Sequence, residues 1–143
     1  MKFRPVAIVG SVCAATLALS GCSNSANGPG TIAVAVSNSP SGEVVLSDAS
    51  PQRVSLGAIV AGTIVLVADS CFGLKTGDGT FTLVLPPDSK AEADGKLVIA
   101  TWGTFALGAE VQLGGGTVPL DGFSNVPEKC ATSSLVAVAD GEH

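Results

Sequence analysis

Thr80-Phe81-Thr82-Leu83-Val84-Leu85 is the stretch of sequence that decides the fold class. In an extended chain, Phe81, Leu83 and Leu85 share one face and the threonines lie opposite, which is the period of a β-strand with one buried side. Pro86-Pro87 follows at once. Because proline has no N–H to donate to a strand ladder, the sequence predicts that this strand ends at Leu85.

Working outward, other segments have the same period. Glu110–Leu113 alternates, with Val111 and Leu113 predicted to face inward. Further predicted strands lie within Gly62–Asp69, Lys96–Trp102, Ser134–Ala139, Val44–Leu46 and Val54–Val60. Six to seven short strands predict an all-β domain, either a small antiparallel barrel of the OB type or a sandwich. The one helical signal is Asp88–Ala93, which predicts at most a short helical turn with Asp88 as its N-cap.

Turn residues separate these segments. Thr76-Gly77-Asp78-Gly79 predicts a hairpin turn between Leu74 and Thr80, and Asp94-Gly95 and Asp121-Gly122 predict two more, because Gly and Asp tolerate positive φ. Gly114-Gly115-Gly116 is interpreted as a bulge or tight turn. It lacks the Lys and the following helix that a phosphate-binding loop requires.

The N-terminus has the pattern of an export signal. Lys2 and Arg4 precede a charge-free, mostly apolar run from Pro5 to Leu19. Its 15 residues are fewer than the ~20 that a membrane-spanning helix needs, and they suit the core of a signal peptide.

The run ends in Leu19-Ser20-Gly21-Cys22, which resembles the lipobox of bacterial lipoproteins. The resemblance implies that the Cys22 thiol receives diacylglycerol and that signal peptidase II, recognising Leu19, Ser20 and Gly21, cuts before Cys22. Residues 1–21 would then be a cleaved signal peptide, and the protein a palmitate-carrying lipoprotein on the extracytoplasmic face of the cell membrane. The alternative is an ordinary secretory signal cut near Ala18 or Ser20.

Composition separates a tether from a folded domain. Residues 22–42 carry no charge and are rich in Ser, Asn, Gly and Pro, which predicts a lipidated cysteine followed by a flexible linker. Within it, Thr31–Val36 is either an edge strand or an unstructured stretch. Residues 43–143 are the predicted β domain. Loss of residues 1–21 changes the net charge from −5 to −7, which argues against nucleic acid as a partner.

Two of the four cysteines remain for the domain after Cys13 leaves with the signal and Cys22 is lipidated. Cys71 and Cys130 form an even pair in an exported protein, which predicts a disulfide. The alternatives are a metal site, for which a third Cys is missing and the single His143 ends the sequence, and a redox dithiol, which favours Cys-x-x-Cys spacing.

The domain also resembles small exported actinobacterial lipoproteins of unknown function. The resembling segments are Val67–Leu74, Leu83–Ser89, Leu113–Gly116 and Val126–Cys130. The resemblance implies a disulfide-closed, barrel-like domain with a glycine-rich turn, and it implies no activity.

The remaining candidates for chemistry are few. A serine triad would need the terminal His143, and Asp78, Asp94, Asp121 and Asp140 each precede a glycine and are interpreted as turn residues. Five aromatic residues are interpreted as core, with an apolar ligand cavity as the alternative: Phe72, Phe81, Trp102, Phe105 and Phe123. No catalytic residue, cofactor or metal is expected.

Three functions follow. The first is a non-enzymatic envelope lipoprotein, held to the membrane by its lipid, that contacts an envelope protein. The second is a binding module for a small apolar or lipidic ligand. The third is a cell-wall enzyme that uses a carboxylate pair.

Overall fold

A computed structural model describes residues 31–49 and 56–141. These residues form β-strands joined by turns and two short 3₁₀ segments, Leu120–Gly122 and Glu128–Cys130. The strands in chain order are β1 (Ile32–Asn38), β2 (Val44–Asp48), β3 (Ile59–Val67), β4 (Cys71–Thr76), β5 (Gly79–Leu85), β6 (Lys90–Ala91), β7 (Leu97–Ile99), β8 (Gly103–Phe105), β9 (Glu110–Pro119), β10 (Phe123–Ser124) and β11 (Leu135–Ala139). The predicted all-β class is confirmed.

The strands lie in two sheets. The larger has the order β10-β1-β2-β4-β3-β9-β11-β5, and the smaller has the order β6-β7-β8. This arrangement fits the sandwich among the two predicted architectures. The larger sheet is mixed and not purely antiparallel, because β11 pairs parallel with β5, and β2 pairs parallel with both β4 and β5.

β5 organises the larger sheet. Its first half pairs antiparallel with β4, its second half pairs with β2, and its other edge pairs with β11. Leu46 of β2, Val84 of β5 and Val138 of β11 therefore lie side by side on one rung. These pairings make the sheet fold back on itself, so that β2, β5 and β11 have side chains packed on both faces.

Two hydrophobic clusters occupy the two faces of these strands. The first contains Leu83 and Leu85 of β5 and also Leu97 and Ile99, by which the small sheet covers it. The second contains Val84 of β5 and lies under β1, β10 and the Cys130 segment. The alternation predicted for residues 80–85 is confirmed, but both of its faces are buried: Thr82 is 1% exposed.

Several predicted boundaries agree with the structure. β5 ends at Leu85, before the two prolines, and Gly77-Asp78 forms the hairpin turn between β4 and β5. Val111 and Leu113 face inward as predicted. The strand predicted over Gly62–Asp69 ends two residues early at Val67, because Ala68 and Asp69 adopt φ values of 51° and 55° and turn the chain into β4.

The helical turn predicted over Asp88–Ala93 is wrong. Asp88 has a φ of 70°, which no N-cap adopts, and Lys90–Ala91 pair with Val98 and Leu97 as β6. The strands also outnumber the six to seven predicted. The additional ones include the two-residue segments β6 and β10, which are too short to show a hydrophobic period, and β8, which follows a turn at Thr101.

The alternative in which residues 31–36 form an edge strand is the one that the structure shows. β1 pairs antiparallel with β2, from Val34 opposite Asp48 to Asn38 opposite Val44. The predicted boundary at residue 43 therefore falls inside a β-hairpin. Of the predicted strand over Val54–Val60, residues 54 and 55 lie outside the described residues, and β3 begins at Ile59.

The glycine run does not make a turn, since β9 continues through it. Residues 110–114 of β9 pair with β3, and residues 115–119 pair with β11. Gly115 lies where the strand changes partners, with a φ of 147°. A methyl group built on Gly115 would lie 1.7 Å from the carbonyl oxygen of Val138. Only glycine permits this close approach of two backbones.

Gly115→Ala is therefore expected to reduce the free energy of unfolding by more than about 3 kcal/mol, because backbone must move to relieve the clash. Urea unfolding measures the change. Gly77→Ala is the matched control, since a methyl group there meets nothing within 4 Å and its φ is not strained. Equal stability of the two variants would contradict the role given to Gly115.

Candidate functional site

The disulfide predicted between Cys71 and Cys130 is present, with a Cα–Cα distance of 5.6 Å. Both cysteines are fully buried in the second cluster. Cys71 opens β4 beside Val44 of β2, and the Thr82 hydroxyl of β5 donates a hydrogen bond to the Cys130 carbonyl oxygen. The bond thus lies where β2, β4 and β5 meet the segment that leads into β11.

Local structure on each side places the two sulfur atoms. The Ala68-Asp69 turn, closed by the Ser70 N–H donating to the Val67 carbonyl at 3.1 Å, reverses the chain so that Cys71 begins β4. On the other side, the 3₁₀ turn follows Pro127, whose carbonyl accepts from the Cys130 N–H at 2.9 Å. Proline suits the start of such a turn because it lacks an N–H that would otherwise be unpaired.

The residues predicted for lipidation and cleavage are Leu19, Ser20, Gly21 and Cys22. They lie outside the described residues, as does His143. Within residues 31–49 and 56–141, no helix has the length and apolar character to cross a membrane.

Three of the five aromatic side chains of the domain are buried, and the other two are partly buried. Phe72 and Phe81 belong to the first cluster and Phe123 to the second, and Trp102 and Phe105 pack against the first. Trp102 also donates from its indole N–H to the Asp140 carbonyl oxygen at 2.8 Å, which ties the turn before β8 to the end of β11. This arrangement agrees with the interpretation of these residues as core.

Two carboxylates are buried, and the sequence indicated neither as such. Asp48, 8% exposed, ends β2, and Asp140, 6% exposed, directly follows β11. The registers of these strands with β5 place one on each side of Pro86. Asp140 accepts a hydrogen bond from the Leu56 N–H at 3.3 Å. Both line a cavity of about 10 Å³, room for about one water molecule and too small for a sugar ring.

The other acids predicted as turn residues lie at the surface. Asp78 and Asp121 are exposed, in the β4–β5 turn and the first 3₁₀ segment. Asp94 accepts the Lys96 N–H at 3.1 Å and lies 3.2 Å from its ammonium group. The backbone N–H of Lys96 is the main cause that holds the pKa of Asp94 below its usual value. Among the described residues, no three His, Cys, Asp or Glu side chains group as metal ligands would.

An open depression of about 490 Å³ lies on the outside of the β3–β9 pair and is lined by Ala61, Gly62, Thr63, Glu110, Val111 and Gln112. Thr63 pairs with Glu110 on one side and Lys75 on the other. This rung places a carboxylate, a hydroxyl and an ammonium group across three strands. Such a surface offers polar contacts to a macromolecule and no enclosure for a small molecule.

A second polar feature closes the β1–β2 hairpin. The Ser39 hydroxyl donates to the Glu43 carboxylate, and the Glu43 N–H donates back to the Ser39 oxygen at 3.1 Å. The hydrogen bond from Ser39 is the largest cause that holds the pKa of Glu43 below its usual value. The reciprocal pair fixes the turn that ends β1.

No family model, curated protein or solved structure matches the chain. The fold and the geometry by themselves define the class of protein as a small β domain with a disulfide between Cys71 and Cys130.

Replacing both cysteines, in Cys71→Ala/Cys130→Ala, is expected to remove about 4 kcal/mol of stability, because the bond closes a loop between residues 59 apart. In a domain of this size that lowers the Tm by about 15–30 °C. Calorimetry of the variant beside the unmodified protein checks this. A fall of less than about 5 °C would contradict a stabilising role.

Ser39→Ala is expected to raise the pKa of Glu43 toward that of an unfolded chain. A carboxyl with a lower pKa in the folded state adds stability above its unfolded pKa, and this contribution is lost as the pH falls through the folded pKa. The variant should therefore lose less stability than the parent on acidification. NMR titration of the Glu43 carboxyl carbon measures the shift. Ser41→Ala is the comparison variant: Ser41 also lowers the pKa of Glu43, but by less than Ser39, so its loss should raise the pKa less. An unchanged titration would count against the Ser39 hydrogen bond as the cause.

Proposed function

We propose that the protein is a lipoprotein, anchored through a diacylglyceryl group on Cys22 at the extracytoplasmic face of the cell membrane, whose β domain acts by protein contact and not by catalysis. The observation that carries the proposal is Leu19-Ser20-Gly21-Cys22. It stands at the end of a charge-free run of signal-peptide length that follows Lys2 and Arg4.

The disulfide supports an exported location. Cys71 and Cys130 are bonded and fully buried. Structural disulfides form and persist in oxidising compartments and are rare in the cytosol. An exported domain of this size gains a large share of its net stability from such a bond.

The start of the domain supports a tethered arrangement. β1 begins at Ile32, and the chain from Cys22 to Thr31 reaches at most about 30 Å when fully extended. Two acyl chains on Cys22 give stable attachment to a bilayer. The net charge of −7 after processing is repelled by an anionic membrane surface, so the domain stands away from the lipid and presents its sides to other proteins.

A packed interior favours binding through the surface of the domain over binding of a ligand inside it. The first cluster fills the interior of the folded-back larger sheet with buried side chains, among them Ile64, Phe72, Leu83 and Leu113, and Leu97 and Ile99 of the small sheet join it. The open depression along β3 and β9 carries polar groups on the surface. A protein surface that pairs with Glu110, Gln112 and Thr63 would bind there.

Cys22→Ala tests the anchor in the full chain. The variant is expected to accumulate with its signal uncleaved or to leave the membrane fraction, and to lose all incorporation of labelled palmitate. Cys13→Ala is the matched control, because Cys13 lies in the segment that is removed. Membrane-bound, fully processed Cys22→Ala protein would overturn the lipid anchor.

A further inference from the structure

The outer edge of β1 is open over most of its length. One edge of β1 pairs with β2, and the other pairs with β10 at Ile32 and Ala33 alone. Beyond that point Asn125 has a φ of 66°, which turns the β10 chain away. In this parallel register the Ser124 carbonyl faces the Val34 N–H, so the part of the outer edge that no strand of the described ranges pairs with runs from the Val34 carbonyl to Asn38.

The direction of the backbone groups follows from the hydrogen bonds to β2. Ser39 donates its N–H to the Glu43 carbonyl, and the Ala33 carbonyl accepts from the Ala49 N–H. Because these groups alternate along a strand, odd-numbered residues of β1 face β2, and Val36 and Asn38 direct their N–H and C=O groups to the open edge. These groups are available to another strand.

This edge lacks the protection that natural edges carry. Exposed edges are usually blocked by charge, by proline or by being very short. β6, at the edge of the small sheet, has two residues and an exposed Lys90. The segment from Val34 to Asn38 carries neither charge nor proline, and Val36 exposes 45% of its surface.

We infer that this edge of β1 pairs with the same edge of a second copy of the chain, antiparallel across a two-fold axis at Val36. This inference rests on the proposed function, because the pairing forms between copies held in one membrane. It places Val36 opposite Val36 of the partner subunit, and Asn38 of each copy opposite the Val34 position of the other. The two β-sheets then become one continuous sheet.

The limits of the open edge fit this symmetry. The open segment runs from Val34 to Asn38, so Val36 is its centre and five residues of each copy overlap in register. On one side β10 occupies the edge up to Ala33. On the other side the strand ends at the Pro40 turn, so the partner strand turns away before it reaches β10.

The edge is uncharged, which suits pairing with an identical edge. Each copy carries a net charge of −7 after processing, but no charged residue lies between Val34 and Asn38, and repulsion between charges elsewhere is screened beyond about 8–10 Å at physiological salt. Two copies therefore meet at this edge without like charges directly opposed. Val36 meeting its counterpart also covers an apolar side chain that is otherwise exposed, in a β-branched pair that stabilises sheets by about 0.2–1 kcal/mol.

The small size of the contact explains why a membrane is needed. The pair makes about four backbone hydrogen bonds, and five residues a side is far below the ~20–30 of a stable interface. Confinement in a membrane raises the effective concentration and offsets this weakness. Each tether leaves from the start of β1, and the two starts lie at opposite ends of the paired strands, so neither tether obstructs the contact.

Val36→Cys in the full chain tests the pairing in membranes. Paired residues of this type have Cα atoms about 5.5 Å apart, within the range that a disulfide spans. Under the thiol oxidant diamide, the covalent dimer is expected to form at least tenfold faster than with Thr80→Cys, an exposed position on β5. Equal rates for the two variants would overturn the pairing.

A second variant separates pairing from folding. Asn38→Pro removes an N–H that faces the open edge, and added to Val36→Cys it should slow the dimer at least tenfold. Val36→Cys/Asn38→Ser keeps the N–H and should crosslink like Val36→Cys alone. An unchanged circular-dichroism spectrum and a cooperative thermal transition show that each variant folds. Unchanged crosslinking with Asn38→Pro would contradict backbone pairing.

The two proposals fail in different ways. If Cys22→Ala protein stays processed and membrane-bound while Val36→Cys still crosslinks tenfold faster than Thr80→Cys, the lipid anchor is wrong and the pairing stands. If Cys22 carries palmitate and Val36→Cys crosslinks no faster than Thr80→Cys, the anchor stands and the pairing is wrong.

Discussion

The pairing of β5 with three other strands is the constraint on which the rest of the fold depends. β4 and β2 share one edge of β5, and β11 takes the other. Because β4 and β11 are also linked through β3 and β9, their shared pairing with β5 makes the sheet turn back on itself. Side chains on both faces of β5 therefore become core. Thr82, polar by sequence, is buried by the same geometry and directs its hydroxyl to the carbonyl of Cys130.

The disulfide adds a covalent link to the hydrogen-bonded pairing of β5 with its neighbours. It joins the first residue of β4 to the segment before β11, two strands that pair with β5 on opposite edges. A chain of this length cannot bury a large core, and small domains of this kind are commonly secured by a covalent bond. Both cysteines belong to the second cluster, so the bond also forms part of the core.

The sequence predicted those parts of the fold that depend on local pattern. Phe81, Leu83 and Leu85 alternate within one strand, and Gly77-Asp78 makes a local turn. Parallel pairing of β2, β5 and β11 was not predictable. It depends on contacts between distant segments, and the alternation of apolar residues within a segment does not indicate its neighbours. The helical turn at Asp88 was predicted wrongly because aspartate is favoured both at helix N-caps and at positions of positive φ. Only the pairing of β6 with β7 selects the second conformation.

Some features of the candidate site could likewise be predicted from the sequence, and others could not. The Cys71–Cys130 bond could be predicted once Cys13 and Cys22 were assigned to the signal peptide and the lipid anchor, because two cysteines then remain. The burial of Asp48 and Asp140 could not, because each follows from the strand that places it beside Pro86. The open edge of β1 could not be predicted either, because whether a strand has a free edge depends on which other strands pair with it. Residues 31–36 have the alternation of a strand but carry no sign of which neighbours they meet.

The position of β11 has a consequence for how the chain is made. β11 ends at Ala139 and lies between β9 and β5, inside the larger sheet and not at its margin. Synthesis proceeds from the N-terminus, so the ladder stays incomplete until residues 135–139 have left the ribosome. Cys130 reaches its partner equally late. The topology thus delays completion of the larger sheet until the last of the described strands has been made.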